Sequence, residues 1–127
     1  MRQAAVALIE KDGLFLSVSR KNDATKRGFA GGQQEGQESL EETMKRELWE
    51  ETGLKALECK EFFSDYDGYD FVTTCFLVTK FEGEAYSKEA GVVEWVEKEK
   101  LLDPPFGWYN KKVFEKYLNK SVFVGEK

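Results

Sequence analysis

"GGQQEGQESLEETMKRELWEETGL", residues 31 to 54, sets a glycine pair ahead of a charged segment that crowds Glu47, Glu50 and Glu51 into little more than one helical turn. Ser39 with Glu42 three residues on has the spacing of a capping box, and Gly53 suits the left-handed residue that ends a helix. The pattern predicts a helix from Leu40 to Thr52. On a wheel of about 100° per residue with Glu47 at zero, Leu40, Glu51, Met44 and Leu48 fall near roughly 20°, 40°, 60° and 100°. Glu47 and Glu51 therefore overlap the apolar stripe, whereas a solvated charged face would set them opposite it. Carboxylates this close and partly buried repel one another and lose hydration, so they persist only when protonated, paired or bound to a cation. Arg46 neutralises one of them at most. The wheel leaves a metal site and a buried ion-pair cluster both open. Gly31-Gly32 reads either as backbone brought close to a ligand or as an ordinary glycine turn.

The whole chain has 127 residues and a net charge of -5, with 41% hydrophobic, 34% charged and 14% aromatic residues. That suits one domain with a ring-rich core and argues against disorder. No run of Lys and Arg is dense enough to hold an extended nucleic-acid backbone, and no apolar run reaches membrane-spanning length. The start of the chain lacks the apolar stretch of a signal peptide, which predicts a cytoplasmic protein. Cys59 and Cys75 form no C-x-x-C pair and read as buried free thiols. The absence of histidine removes the Ser-His-Asp triad, imidazole acid-base chemistry and the usual zinc ligand. Catalysis must rest on carboxylates, lysines or an activated water, and oxygen donors without His or Cys select magnesium, calcium or manganese.

Apolar segments around Asp12-Gly13 predict a β-hairpin over residues 3 to 20, followed by a loop over residues 21 to 38. "ALECKEFFSDY" and "YDFVTTCFLVTKF" read as strands joined at Asp67-Gly68, "GVVEWVE" as one more strand, and a last helix begins near Gly107 to Tyr109. The expected fold is α+β, a mixed sheet with two helices. "DYDGYD" has its glycine at the wrong place for a calcium loop and reads as the hairpin turn.

The segment Gly32–Leu54 resembles the Nudix box: Gly, five residues, Glu, seven residues, Arg-Glu-Leu, one residue, Glu-Glu, one residue, Gly-Leu. Every specified position is met, a match rarer by chance than about one in ten million per start position. "FLVTKFEGEAYSKEAGVVEWV" (Phe76 to Val96) is similar to a later part of MutT-type Nudix hydrolases. The resemblance implies a single Nudix domain over residues 1–127 (box 32–54), an α/β/α sandwich with a mixed β-sheet between helices, and hydrolysis of a nucleoside diphosphate linked to another group with Mg2+ or Mn2+. It implies metal binding by Gly31, Glu47, Glu50, Glu51 and Glu89, orientation of these carboxylates by Arg46, and Glu47 as first choice of general base with Glu89 second. Ala30, Gln34 and the placement of Gly36 before Gln37 depart from the family pattern and leave the loop geometry open.

For the substrate, Arg20, Phe29, Glu38 and Asn110 are the candidate contacts. Asn110 aligns with a base-reading asparagine across a gap, or caps the last helix. Phe106, Trp108 and Tyr109 either stack on a base or pack the helix, and Arg20, Lys21, Lys26 and Arg27 either meet phosphates or form a solvated basic loop. The expected ligand is a small nucleotide: a nucleoside triphosphate, plausibly oxidised such as 8-oxo-dGTP, cut to monophosphate and pyrophosphate. The alternatives are a hydrolase of dinucleoside polyphosphates, nucleotide sugars, dinucleotide cofactors or RNA caps, and a non-catalytic nucleotide-binding regulator. The oligomeric state stays open.

Overall fold

In the computed structural model, which describes residues 2–20, 22–88, 91–104 and 106–125 (side chains to residue 119), the first helix, α1, spans Leu40–Thr52, as its end signals predict. Ser39 Oγ accepts from Glu42 N, the Glu42 side chain accepts from Ser39 N, and Gly53 closes the helix at φ 79°. Its buried side chains are Thr43, Met44, Leu48 and Thr52.

The strands form two sheets. In the first, β1 (Arg2–Leu8) and β7 (Phe71–Glu82) run parallel at the centre, with β5 (Ala30–Gln33) antiparallel on β1 and β6 (Lys55–Tyr66) antiparallel on β7. In the second, β3 (Leu14–Arg20) carries β2 (Glu10–Lys11) and β4 (Asp23–Gly28) on one edge and β8 (Val93–Val96) on the other. The last helix, α2, spans Gly107–Gly125, after a 3-10 turn at Lys98–Leu101. The parallel pairing makes the first sheet mixed, and the α+β fold is as expected.

Strand alternation divides the core in two. Ala5, Ala7, Phe76 and Val78 face one way and pack with Met44 and Leu48 of α1. Leu8, Cys75 and Leu77 face the other way and pack with Tyr109, Val113 and Phe114 of α2. Ala5, Ala7, Ala30 and Ala56 on the α1 side are small, which lets that helix lie close to the sheet.

Two expectations need correction. Asp12 (φ 54°) and Gly13 (φ 83°) do make the tight turn, but only Glu10–Lys11 pairs across it with β3. Residues 2–8 leave for the other sheet, because β1 is buried on both faces and pairs on both edges. Residues 21 to 38 are not all loop, since β4 and β5 lie within them. "DATKRG" and "AGGQ" lack the alternation and branched residues that mark strands, and tertiary pairing decides them instead.

Gly53→Ala should lower the unfolding free energy by about 1 kcal/mol or more, because alanine is strained at this φ and its Cβ would crowd Tyr86. Urea denaturation followed by circular dichroism would read this as a lower midpoint at unchanged slope.

Candidate active site

Edge strand β5 is where α1 meets the sheet, and its glycine pair makes the approach feasible. A Cβ on Gly31 would lie 2.6 Å from Val6 Cγ1 and 2.7 Å from Val6 Cα, and one on Gly32 would lie 2.5 Å from Glu47 Cδ. Gly31 thus admits β1 and Gly32 admits the Glu47 carboxylate. Gly31 N–H also donates to Glu51 Oε1 at 2.8 Å, tying the end of α1 to the strand. The pair is strand, not turn.

Arg46 organises the acidic face. Its Nε and Nη2 donate to the two oxygens of Glu38 at 3.1 and 2.8 Å, and its Nη1 lies 3.2 Å from both Glu47 Oε2 and Glu50 Oε1. Nη2 also donates to Gln33 O of β5. The paired fork, with added donors from Glu35 N and Thr43 Oγ1, holds the Glu38 carboxyl down at about 2. The same bond to Glu38 pushes the Arg46 guanidinium further up. Gly36, at φ 55° and with open space around it, supplies the left-handed residue that returns the loop to Glu38. Gln34 Nε2 bonds Glu38 O across the turn.

On the α2 side of the first sheet lies a cleft of about 390 Å³. Gly31, Gly32 and Glu51 line one part of it, Arg20, Lys26 and Phe29 another, and Asp67, Phe71, Phe106 and Asn110 a third. The Arg20 guanidinium sits 5.6 Å from the Phe106 ring centroid. Thus Arg20, Phe29, Gly31, Glu51 and Asn110, chosen from sequence, share one cavity.

Glu38 is engaged by Arg46 and is not among the cleft's lining residues. Asn110 is not the helix cap: it lies inside the first turn of α2, 2% exposed, with Nδ2 donating to Leu101 O at 2.8 Å. Tyr109 is core, its hydroxyl donating to Thr73 O, and burial first, then nearby acidic groups, pushes its pKa up. Trp108 is exposed beneath Lys112, and Arg27 pairs with Glu94. Glu89, Lys21 and Pro105 lie outside the described residues. Sequence reasoning missed Asp67, Phe71 and Thr73 as cleft residues. Asp67 was read only as a turn former, and nothing in its local pattern tells which way the turn faces.

Among the described residues no three Asp, Glu or Cys side chains converge closely enough to hold a metal ion as they stand. The donor chemistry nonetheless fits a hard cation. Glu38, Glu47 and Glu50 share the one guanidinium of Arg46, with Glu51 on the next turn, and Glu38 and Glu47 are each only 18% exposed. Such an excess of partly shielded negative charge over one guanidinium suits a divalent ion beside Glu47, Glu50 and Glu51.

The chain as a whole is similar to known proteins. An 8-oxo-dGTP diphosphatase of Buchnera aphidicola subsp. Schizaphis graminum is 33% identical over 92 residues, 70% of this chain and 71% of its own length. Another 8-oxo-dGTP diphosphatase, from Haemophilus influenzae, is 31% identical over 96 residues, 73% of this chain and 71% of its own. A solved MutT structure, from work on the Aliivibrio salmonicida and Vibrio cholerae proteins, superposes with a TM-score of 0.74 at 25% identity, covering 94% of this chain and 98% of its own. The NUDIX domain model matches residues 1–117, from the first strand through most of α2, and on that extent the chain belongs to the NUDIX family.

Proposed function

We propose that the protein is a Mg2+-dependent (or Mn2+-dependent) pyrophosphohydrolase that cuts a nucleoside triphosphate, plausibly an oxidised purine nucleotide such as 8-oxo-dGTP, to the monophosphate and pyrophosphate. The observation that carries this reading is the seating of Glu51 on the Gly31 amide at the wall of the cleft, one turn from Glu47 on the same face of α1. The 8-oxo-dGTP diphosphatases among its relatives support the substrate class. A cleft of about 390 Å³ is at the small end of ligand sites and suits one nucleoside better than two.

In this reading Glu47, Glu50 and Glu51, with the Gly31 carbonyl and Glu89, would hold the divalent cation. When bound, the ion offsets phosphate charge and acidifies a water. Glu47, set against Gly32, accepts the proton of the attacking water, with Glu89 the alternative base. Arg46 positions Glu47 and Glu50 through one nitrogen and is itself fixed by Glu38 and by Gln33 O. Arg20 and Lys26 lie where they can draw phosphate into the cleft. Phe29 and Asn110 belong to the nucleoside end. Cys59 and Cys75 are both unpaired thiols, in keeping with a cytoplasmic enzyme, and among the described residues no helix is long and apolar enough to cross a membrane.

Hydrolysis of a panel including dGTP, 8-oxo-dGTP, CTP, ADP-ribose, NADH and diadenosine polyphosphates, with magnesium and with all products resolved, tests the reading. One triphosphate should give monophosphate and pyrophosphate, and Glu51→Gln should lower kcat by about a hundredfold or more. Turnover of two-ring substrates alone, or of nothing, overturns it. Gly32→Ala should cost about a hundredfold in kcat through displacement of Glu47, while far-ultraviolet circular dichroism stays native.

The depressed Glu38 carboxyl also sets a stability window. Its folded value of about 2 lies below the ordinary 4.5, so its contribution is complete above 4.5 and disappears as pH falls toward 2. Thermal melts over that range should fall more steeply for wild type than for Glu38→Gln. Equal slopes would show that the Arg46–Glu38 pair does not stabilise the fold.

A further inference from the structure

The turn between β6 and β7 contributes one side chain that the reaction above does not use. Asp67 is 6% exposed and lines the cleft. Its Oδ1 accepts from three backbone amides, Tyr69 N at 2.8 Å, Asp70 N at 3.1 Å and Phe71 N at 3.2 Å, which locks the carboxylate in place. Its Oδ2 makes no hydrogen bond to any described residue, yet no buried side-chain polar atom among them lacks a partner. Oδ2 is therefore accessible, on a residue that lines the cleft.

Register places this carboxylate away from the acidic helix. Asp67 is bonded to Phe71, which pairs with Arg2 at the start of β1, whereas Gly31, which holds Glu51, pairs with Val6. Four residues of strand separate the two levels, about 13 Å. Phosphate and cation belong at the Glu51 end, so a fixed negative oxygen at the other end suits an uncharged group rich in N–H donors. Phe71 and Phe106 are also on the wall, with the Arg2 and Arg20 guanidiniums 4.7 and 5.6 Å from their ring centroids.

Deepening the nucleotide reading above, and resting on it, we propose that Asp67 is a specificity-determining residue that accepts the N1–H of a 6-oxopurine. Guanine-type bases present this donor beside an acceptor. Adenine presents the reverse pair, so its N1 lone pair would face the Asp67 oxygen and be repelled. The cleft thereby selects the guanine-type edge by attraction and excludes adenine by repulsion.

Asp67→Asn tests this with little disturbance, because asparagine keeps Oδ1 as acceptor for the three amides and turns Oδ2 into a donor. Binding of GMP, AMP and 1-methyl-GMP to the full chain without metal, by calorimetry, is the readout. Wild type should bind GMP about tenfold to a hundredfold more tightly than AMP or 1-methyl-GMP, the effect of one hydrogen bond to a charged acceptor. Asp67→Asn should lose at least tenfold of the GMP-over-AMP preference, with its Tm within about 2 °C of wild type. Equal wild-type affinity for GMP and 1-methyl-GMP, a comparison that needs no variant, overturns the proposal, as does full discrimination in Asp67→Asn. In either case the hydrolase reading still stands or falls on turnover. Selective binding without turnover of any nucleotide upholds Asp67 and overturns the hydrolase. Absence of both overturns the two together.

Discussion

A single guanidinium stands among four carboxylates, those of Glu35 and Glu38 in the loop and of Glu47 and Glu50 on α1, and ties the two segments together. Arg46 meets Glu38 with two nitrogens and shares a third between Glu47 and Glu50. In water such contacts are weak, but these groups are shielded, and removal of the cation would leave like charges against the edge of a packed sheet. The helix and the loop before it are thus joined by charge as much as by apolar contact. The side-chain bond from Arg46 Nη2 to Gln33 O extends the same link to β5.

That link works only because β5 has no side chains in the way. Gly31 lets the strand pair tightly with β1, and Gly32 leaves room for the Glu47 carboxylate. Small alanines on the facing strands bring α1 close to the sheet, and the edge position of β5 lets Glu51 reach over to the cleft on the other side. The acidic helix and the nucleoside end lie on opposite faces of one sheet, joined around its edge.

What the sequence reveals follows the range of the forces involved. Helix α1 is legible to the residue because its caps, its apolar stripe and its carboxylates all act within one segment. The strands of the β6–β7 hairpin are legible for the same reason. The partner of β1 is not, since a strand buried on both faces gives no sign of which edge meets which neighbour. Nor are β4 and β5, whose residues would suit a loop equally well. Among the candidate contacts, Arg20, Phe29 and Asn110 reach the cleft, whereas the dual character of Asp67, a turn former outside and an acceptor inside, depends on tertiary placement. Asn110 looked like a cap because its position was judged from the helix start alone, and the 3-10 turn that receives its amide leaves no pattern of its own.

The parallel pairing of β1 with β7 carries a consequence for how the molecule comes into being. Arg2 is matched to Phe71 and Leu8 to Leu77, so the first strand waits for nearly seventy residues before its second edge is covered. During synthesis α1 and β5 emerge while the central strand has an open flank, and the cleft has neither Asp67 nor Asn110. Closing so long a loop is slow compared with forming a helix. The charged face of α1 is thus built from partners within twenty residues of one another, whereas the chamber it borders joins Arg20 to Asn110, ninety residues apart.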